Sequence, residues 1–196
     1  MSYEVTMYII HQLFRPFGYL SIKGVSGKFI YDWVIPFILS FLSMAYFYFL
    51  ATPSSLLGGN GFFKNTISFI SILPGFYIAA LAAIATFNRK QIDDPLISDA
   101  GTPYIYVKGV KENGKPYRTK EDMTRRLFLC MLFSFLTAES IFLIMLHNFA
   151  IPLLATPTNA YCIAIYSFIF LLILWQLLVT TFFGLYYLGD RIHLNN

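Results

Sequence analysis

One acidic residue, Glu139, lies deep inside a long apolar stretch of this chain. Gln176 in a later stretch and Pro74 in an earlier one lie at a similar depth, roughly 18–20 Å along their helices from the same side. An acid at that depth is costly unless a proton or a partner neutralises it, and it faces protein or water. We predict a polar layer in which Glu139 faces Gln176, near the carbonyl that Pro74 leaves without a donor. Thr137 and Ser140 flank the same level.

Two kinds of chemistry fit this layer. The acid could carry protons or cations through a channel or transporter, or it could be a hydrogen-bonded strut between helices or subunits. A lone carboxylate without a basic or second acidic partner favours the strut. His147 lies eight residues further along, and we expect it to be an interfacial residue near the outer surface rather than a relay.

The stretches that hold these residues are long enough to cross a membrane, which takes about 20 apolar residues. They span Trp33–Ala51, Thr66–Phe87, Leu127–Ala150 and Tyr161–Leu188. Hydrophobic residues make up 57% of the chain and charged residues only 12%, against a charged share of about 25% in soluble domains. The sequence predicts an all-α membrane protein, a four-helix transmembrane bundle forming one domain over residues 1–196.

Lysine and arginine predict the topology. The segment before the first stretch, residues 1–29, and the loop 88–126 carry most of the 14 basic residues, and the two short loops on the other side carry only Lys64. By the positive-inside rule both termini and the long loop are cytoplasmic, in a multi-pass protein of the inner membrane. The net charge of +4 then indicates contact with membrane lipids rather than direct nucleic-acid binding.

Small residues recur along two stretches. Gly75, Ala79 and Ala83 follow one another every four residues, and Ser134 and Ala138 form a shorter stripe. Such stripes let helix backbones approach closely, which is how helices associate in lipid. We expect these two stretches to form much of the bundle interior.

The N-terminal segment has helical periodicity over residues 3–14 and is predicted to be a short helix on the inner membrane surface, or one packed on its own bundle.

Cys130 and Cys162 are predicted to lie at depths roughly 20 Å apart, too far for a disulfide within one subunit. We expect both to be buried and inert.

The loop 88–126 contains a hairpin signal. Tyr104–Val110 is β-branched and aromatic, Asn113-Gly114 suits a tight turn, and a second run follows with Pro116 at an edge position. Residues 17–25 could add a third strand, and Thr119 with Asp122 predicts the cap of a helix that continues into the third span. We expect the hairpin to dock a cytoplasmic protein. The predicted docking residues are Tyr104, Tyr106, Lys108, Lys111, Lys115, Tyr117 and Arg118.

Motifs of enzymes and cofactor sites are missing. The sequence has no phosphate-binding glycine loop, no HExxH, no GxSxG and no cluster with metal-ligand spacing. We therefore predict no enzyme activity and no cofactor. A membrane-embedded lipid-modifying enzyme that uses His147 or the loop acids, such as Asp94, is the third alternative.

The layout of the chain resembles the KwaA family, the membrane subunits of the Kiwa antiphage system. The resemblance covers four spans, internal termini, almost no outer loops and one cytoplasmic loop, and Thr124–Leu129 at the start of the third span is the part to align first. It implies an oligomeric membrane sensor or effector with a soluble cytoplasmic partner. The sequence thus favours a homo-oligomeric subunit that docks its partner through the loop and the N-terminal segment, with a Glu139-centred channel or transporter as the alternative.

Overall fold

The computed structural model describes residues 12–50, 52–86, 88, 92–98, 101–110, 116–154 and 160–191. The chain divides into two compact units, which are taken separately below. The first comprises Met1–Gly27 and Ala79–Phe135, and the second comprises Lys28–Ile78 and Leu136–Asn196.

Four helical segments are long and apolar enough to cross a membrane, which is consistent with a multi-pass membrane protein. They are Ile30–Leu50, Ser55–Thr86, Arg125–Leu154 and Ala160–Gly189. The four predicted stretches are confirmed, and each begins earlier in the chain than hydropathy suggested. The earlier start of the first segment matters because it brings Asp32 into a span.

The regular elements within these segments are named in chain order. The helices are α1 (Ile35–Leu50), α2 (Pro53–Leu57), α3 (Phe62–Ile70), α4 (Leu73–Thr86), α5 (Arg125–Leu154) and α6 (Ala160–Tyr186). One π-helical turn, Ile30–Val34, precedes α1 and another, Tyr187–Arg191, follows α6. The strands are β1 (Tyr104–Val110) and β2 (Pro116–Asp122).

The second span is a broken helix. α3 ends at Ile70 and α4 begins at Leu73, so Pro74 lies in the first turn of α4. Proline is well tolerated there because the first N–H groups of a helix have no intrahelical acceptor. Ser71 closes α3, with its N–H and its hydroxyl both donating to the Ile67 carbonyl. The kink expected at Pro74 is therefore an interruption of the helix at Ser71 and Ile72.

In the second unit, α1 packs along α6. Phe37 and Phe41 both meet Phe168 edge-on, with ring centroids 5.9 and 5.3 Å apart, a geometry that aromatic rings prefer. The Trp175 Nε1–H donates to Ser43 Oγ across the same contact at 2.9 Å. This pairing fixes the first span against the last. It thereby positions the polar residues near the N-terminal end of the first span.

The first unit contains the predicted hairpin. β1 and β2 pair antiparallel, from Tyr104 opposite Asp122 to Val110 opposite Pro116. The intervening turn, with the predicted Asn113-Gly114, lies outside the described residues. The small two-stranded hairpin is thus confirmed, and Pro116 begins β2, where a missing N–H disturbs the ladder least.

Backbone bonds tie the base of the hairpin to the loop before it. The Leu96 N–H donates to the Met123 carbonyl at 2.8 Å, and the Met123 N–H donates to the Pro103 carbonyl at 2.9 Å. Met123 is fully buried. A two-stranded hairpin is marginal on its own, so these bonds and this side chain explain how it is held.

Residues 17–25 of the first unit do not form the third strand that was predicted as an option. Residues Arg15–Ser21 form a 3-10 helix rather than a strand, and only Lys23 bridges to Tyr104 of β1. Tyr19 stacks on Phe135 at 5.1 Å, so burial of aromatic rings on α5 outweighs strand pairing here.

The cap of α5 also differs from the prediction. Thr119 lies within β2, and the hydroxyl oxygen of Thr124 instead accepts the Leu127 N–H at 3.2 Å, as an N-cap side chain does. The interfacial helix predicted over residues 3–14 falls almost entirely outside the described residues.

Candidate functional site

Several buried polar side chains gather in the second unit. The polar cluster, as we name it, consists of Lys28, Asp32, Glu139 and Gln176, and all four are at most 8% exposed. Three of them lie within candidate membrane spans, and Lys28 lies two residues before one. Burying charged groups in an apolar surrounding is costly unless they are paired, so their pairing determines what the cluster can do.

Lys28 and Asp32 form a buried ion pair. The Lys28 ammonium donates to Asp32 Oδ2 across one helical turn, the i,i+4 spacing at which helical side chains meet. Burial lowers the pKa of Lys28 more than the hydrogen bond and the charge of Asp32 raise it. Desolvation therefore exceeds the gain from pairing, as is common for buried ion pairs.

Gln176 is bonded to the backbone of Asp32 rather than to Glu139. Its Nε2–H donates to the Asp32 carbonyl at 2.7 Å. Pro36 lies four residues after Asp32 and has no N–H to donate to that carbonyl in α-helical register. The side-chain amide from α6 donates to this carbonyl in addition to any backbone donor. The sequence had predicted that Gln176 faces Glu139, near a carbonyl freed by Pro74, whereas the bond described here joins Gln176 to the Asp32 carbonyl.

Glu139 is almost fully buried and incompletely bonded. It is 3% exposed, and its Oε2 atom has no hydrogen-bond partner in the part of the chain that the structure describes. It lies within electrostatic range of Asp32. A structural strut would use both carboxyl oxygens, because an unsatisfied buried acceptor costs about 1–3 kcal/mol.

A hydroxyl pair lies close to the same acid. Tyr77 from α4 and Thr181 from α6 are 2.6 Å apart at their oxygens, and Tyr77 is within electrostatic range of Glu139. Thr181 donates its only proton to the Leu177 carbonyl, so Tyr77 must be the donor to Thr181. The neighbouring Thr180 is fully buried, and its Oγ1 has no partner among the described residues.

The other residues of the predicted polar layer have backbone roles. The Ser140 hydroxyl donates to the Thr137 carbonyl at 2.9 Å, and Pro74 lies in the first turn of α4. The structure therefore brings Asp32 and Tyr77 near Glu139 and pairs Lys28 with Asp32, and the sequence prediction had included none of these three residues. The Lys28-x-x-x-Asp32 spacing was the available signal, and it was missed because the first span was drawn from Trp33.

The small-residue stripe of α4 is exposed in the part of the chain that the structure describes. Gly75, Ala79 and Ala83 are all exposed, and a Cβ added at Gly75 would meet nothing within 4 Å. On α5, Ser134 and Ala138 are half-buried. The α4 stripe is thus accessible to lipid or to another helix.

A second buried polar pair lies further along α5. His147 Nδ1 and the Tyr166 hydroxyl are 2.6 Å apart and buried, with the Phe170 ring 6.0 Å from the imidazole. His147 is therefore packed within the second unit. Leu143 lies midway between Glu139 and His147 on the i+4 row of α5 and is fully buried, so an apolar side chain separates the two polar sites.

At the other end of α5, in the first unit, Arg126 joins three parts of the chain. Its guanidinium donates to both carboxylate oxygens of Asp93, at 2.6 and 2.9 Å. It also donates to the Ile84 and Ala85 carbonyls near the end of α4, at 2.8 and 3.1 Å. The hydrogen bond from Arg126 lowers the pKa of Asp93. This Arg126 clamp closes the helix end, where a cation is favourable.

Only part of the predicted docking surface is described. Tyr104 and Tyr106 meet edge-on at 5.4 Å, Tyr106 is exposed, and the Lys120 ammonium lies 4.4 Å from the Tyr104 ring. The remaining predicted residues (the side chains of Lys108, Tyr117 and Arg118, and all of Lys111 and Lys115) lie outside what the structure describes.

Metal and thiol chemistry find no support among the described residues. No group of three or more His, Cys, Asp or Glu side chains there could hold a metal ion. Cys130 and Cys162 are free, and Cys162 is exposed rather than buried as expected. The Asp94 carbonyl accepts the Arg125 N–H, which is a structural role for that residue's backbone.

Comparison of the chain with protein-family models, with curated proteins and with solved structures found no match.

Proposed function

We propose that this chain moves protons across a membrane through the polar cluster, with Glu139 as the group that binds and releases the proton. The observation that carries the proposal is a count of buried charge. Two carboxyl groups, Asp32 and Glu139, share their surroundings with one ammonium, Lys28.

Neutrality in an apolar interior follows from that count. Among the described residues of the polar cluster, Lys28 compensates one carboxylate, so these four side chains are together neutral when the other acid carries a proton and have a charge of −1 when it does not. Intramembrane acids arranged in this way are typical of proton relays. The Oε2 atom of Glu139, which has no partner among the described residues, and the nearby Tyr77 hydroxyl supply groups that a proton can use on its way in or out.

The test is proton flux into reconstituted vesicles that contain a pH-sensitive dye, driven by a potassium diffusion potential. We expect Glu139→Gln and Asp32→Asn to reduce flux to the level of empty vesicles. Asp122→Asn is the matched control, because Asp122 is an exposed acid on β2 and its variant should conduct like the parent.

Each outcome bears on the proposal. Flux of Glu139→Gln equal to the parent would remove Glu139 from the path, and a parent without flux above empty vesicles would overturn proton transport altogether. A current that follows potassium or sodium rather than pH would assign the path to a monovalent cation and contradict the proposal as stated.

A second candidate function is a homo-oligomeric inner-membrane subunit that docks a cytoplasmic protein. One observation favours it: beyond the Lys23 bridge to Tyr104, the described residues place no strand against the outer edge of β1. An open edge beside an exposed tyrosine can add a strand from a partner. The exposed α4 stripe around Gly75 suits contact between copies of the chain.

The test of docking is affinity purification in mild detergent from the native operon, followed by mass analysis. We expect a stoichiometric soluble protein that is lost when Lys108, Lys111 and Lys115 are changed to glutamate. Retained binding in that variant would contradict docking through the hairpin. The resemblance in layout to the KwaA family is the basis for proposing a role in antiphage defence, in which a proton-conducting effector and a docked regulator are compatible.

A further inference from the structure

A groove in the first unit lies between the 3-10 helix Arg15–Ser21, the hairpin and the start of α5. Its volume is about 760 Å³, within the range of pockets that bind small molecules. Four α5 residues form its floor: Leu127, Cys130, Met131 and Ser134. They are spaced i, i+3, i+4 and i+7, so they share one face of the helix. We call this the hairpin groove.

The position of the floor along α5 defines the surroundings of the groove. α5 has 30 residues and is about 45 Å long at 1.5 Å per residue, whereas the hydrocarbon core is about 30 Å thick. About 15 Å of helix therefore extends beyond the hydrocarbon. The floor runs from roughly 3 to 14 Å from the start of α5, so it lies toward one end of the candidate span, on the side of one headgroup region.

The lining of the groove combines apolar side chains with two charged ones. Phe14, Phe17 and the α5 face supply apolar surface, and Arg15 and Glu121 supply one charge of each sign. Close packing shapes the floor: a Cβ at Gly18 would come within 3.2 Å of Met131 Cε. A ligand that complements this lining has an apolar tail and a headgroup with both charges.

We propose that the hairpin groove binds one phospholipid with a primary ammonium headgroup, of the phosphatidylethanolamine type. An acyl chain lies along the α5 face, the phosphate meets Arg15 and the ammonium meets Glu121. The membrane supplies this ligand at high local concentration. The inference is independent of proton transport, because it concerns residues of the other unit.

The experiment is native mass spectrometry of the purified full chain in mild detergent, with phosphatidylethanolamine, phosphatidylglycerol or phosphatidylcholine added in turn. We expect one phosphatidylethanolamine per chain to be retained most strongly. Ser134→Phe places a ring on the floor and should weaken retention at least tenfold. Ser68→Phe is the matched control, because Ser68 is an exposed serine on α3.

The headgroup assignment has its own variants. Arg15→Gln should weaken retention of all three lipids about fivefold, and Glu121→Gln should remove the preference for phosphatidylethanolamine over phosphatidylglycerol, also about fivefold, since a charge near the membrane surface contributes about 1 kcal/mol. Lys64→Gln, at an exposed lysine of the second unit, should change neither.

If Ser134→Phe does not fold, a bulky maleimide on Cys130 of the folded Cys162→Ser protein serves instead, since it fills the same floor and should displace the lipid. Equal retention by the parent and by the blocked protein would overturn the groove as the site. Retention of detergent alone, or no preference among headgroups, would overturn the proposed ligand.

Discussion

Replacing the buried ion pair separates the contribution of the polar cluster to stability from its contribution to transport. Lys28→Met removes the ammonium and leaves Asp32 buried beside Glu139. Breaking a buried pair from one side costs about 3–5 kcal/mol, because the remaining charge has no compensation. Both partners are nearly inaccessible here, so we expect the full range to apply. For a chain of this size, that corresponds to a fall in Tm on the order of 10 °C.

Replacing both partners should have the opposite effect. Desolvation of Lys28 exceeds its gain from Asp32, so the double variant Lys28→Met/Asp32→Leu should match the parent in stability or exceed it by about 1–4 kcal/mol. It should nevertheless transport no protons. A stable but inactive double variant would show that the charges are retained for transport rather than for folding.

The assay is equilibrium unfolding in mixed micelles for the parent, both single variants and the double variant, with proton flux measured on the same preparations. A double-mutant cycle isolates the coupling between the two side chains. Additive losses in the double variant would refute the ion-pair reasoning. Full proton flux in the double variant would refute the role of Asp32 in transport.

Three further predictions follow from other contacts. Leu143→Ala should cost about 2–5 kcal/mol through the cavity it leaves, and it should raise proton leak through vesicles by joining two polar sites; an unchanged leak would contradict the separating role. Tyr77→Phe should slow proton flux without abolishing it, since Thr181 keeps its bond to Leu177. Thr181→Val should retain more proton flux than Tyr77→Phe, and equal losses of flux in the two variants would contradict this prediction. The Arg126 clamp stabilises the fold at pH values above the ordinary pKa of Asp93, and this contribution is lost as pH falls through the lowered pKa. Hydrogen exchange at residues 92–98 should therefore become faster below about pH 4. In Asp93→Asn the exchange should already be faster at neutral pH.

The sequence predicted those features that depend on composition and local pattern. Four apolar stretches were recognisable because a membrane span needs about 20 apolar residues, and the hairpin was recognisable from β-branched and aromatic runs around Asn113-Gly114. The 3-10 helix Arg15–Ser21 was missed because its conformation depends on Tyr19 stacking on Phe135, more than a hundred residues away. Local propensity carries no information about such a contact.

The polar cluster was half predicted for a similar reason. Glu139 and Gln176 stood out because polar residues are rare inside apolar stretches. Asp32 and Lys28 did not, because they precede the hydropathy boundary at Trp33 although the helical segment begins at Ile30. Only the packing of α1 on α6 shows that Asp32 is reached by the Gln176 amide.

The bond from Gln176 to the Asp32 carbonyl has an evolutionary consequence. Pro36 removes a donor from that carbonyl, and an amide 144 positions away replaces it, so the proline and the glutamine compensate each other. In homologous chains, loss of the proline would restore the α-helical donor and relax the need for an amide at position 176, whereas loss of the glutamine alone would remove a hydrogen bond from a buried carbonyl. The two positions should therefore change together, and their covariation would mark which relatives have kept the geometry of this cluster.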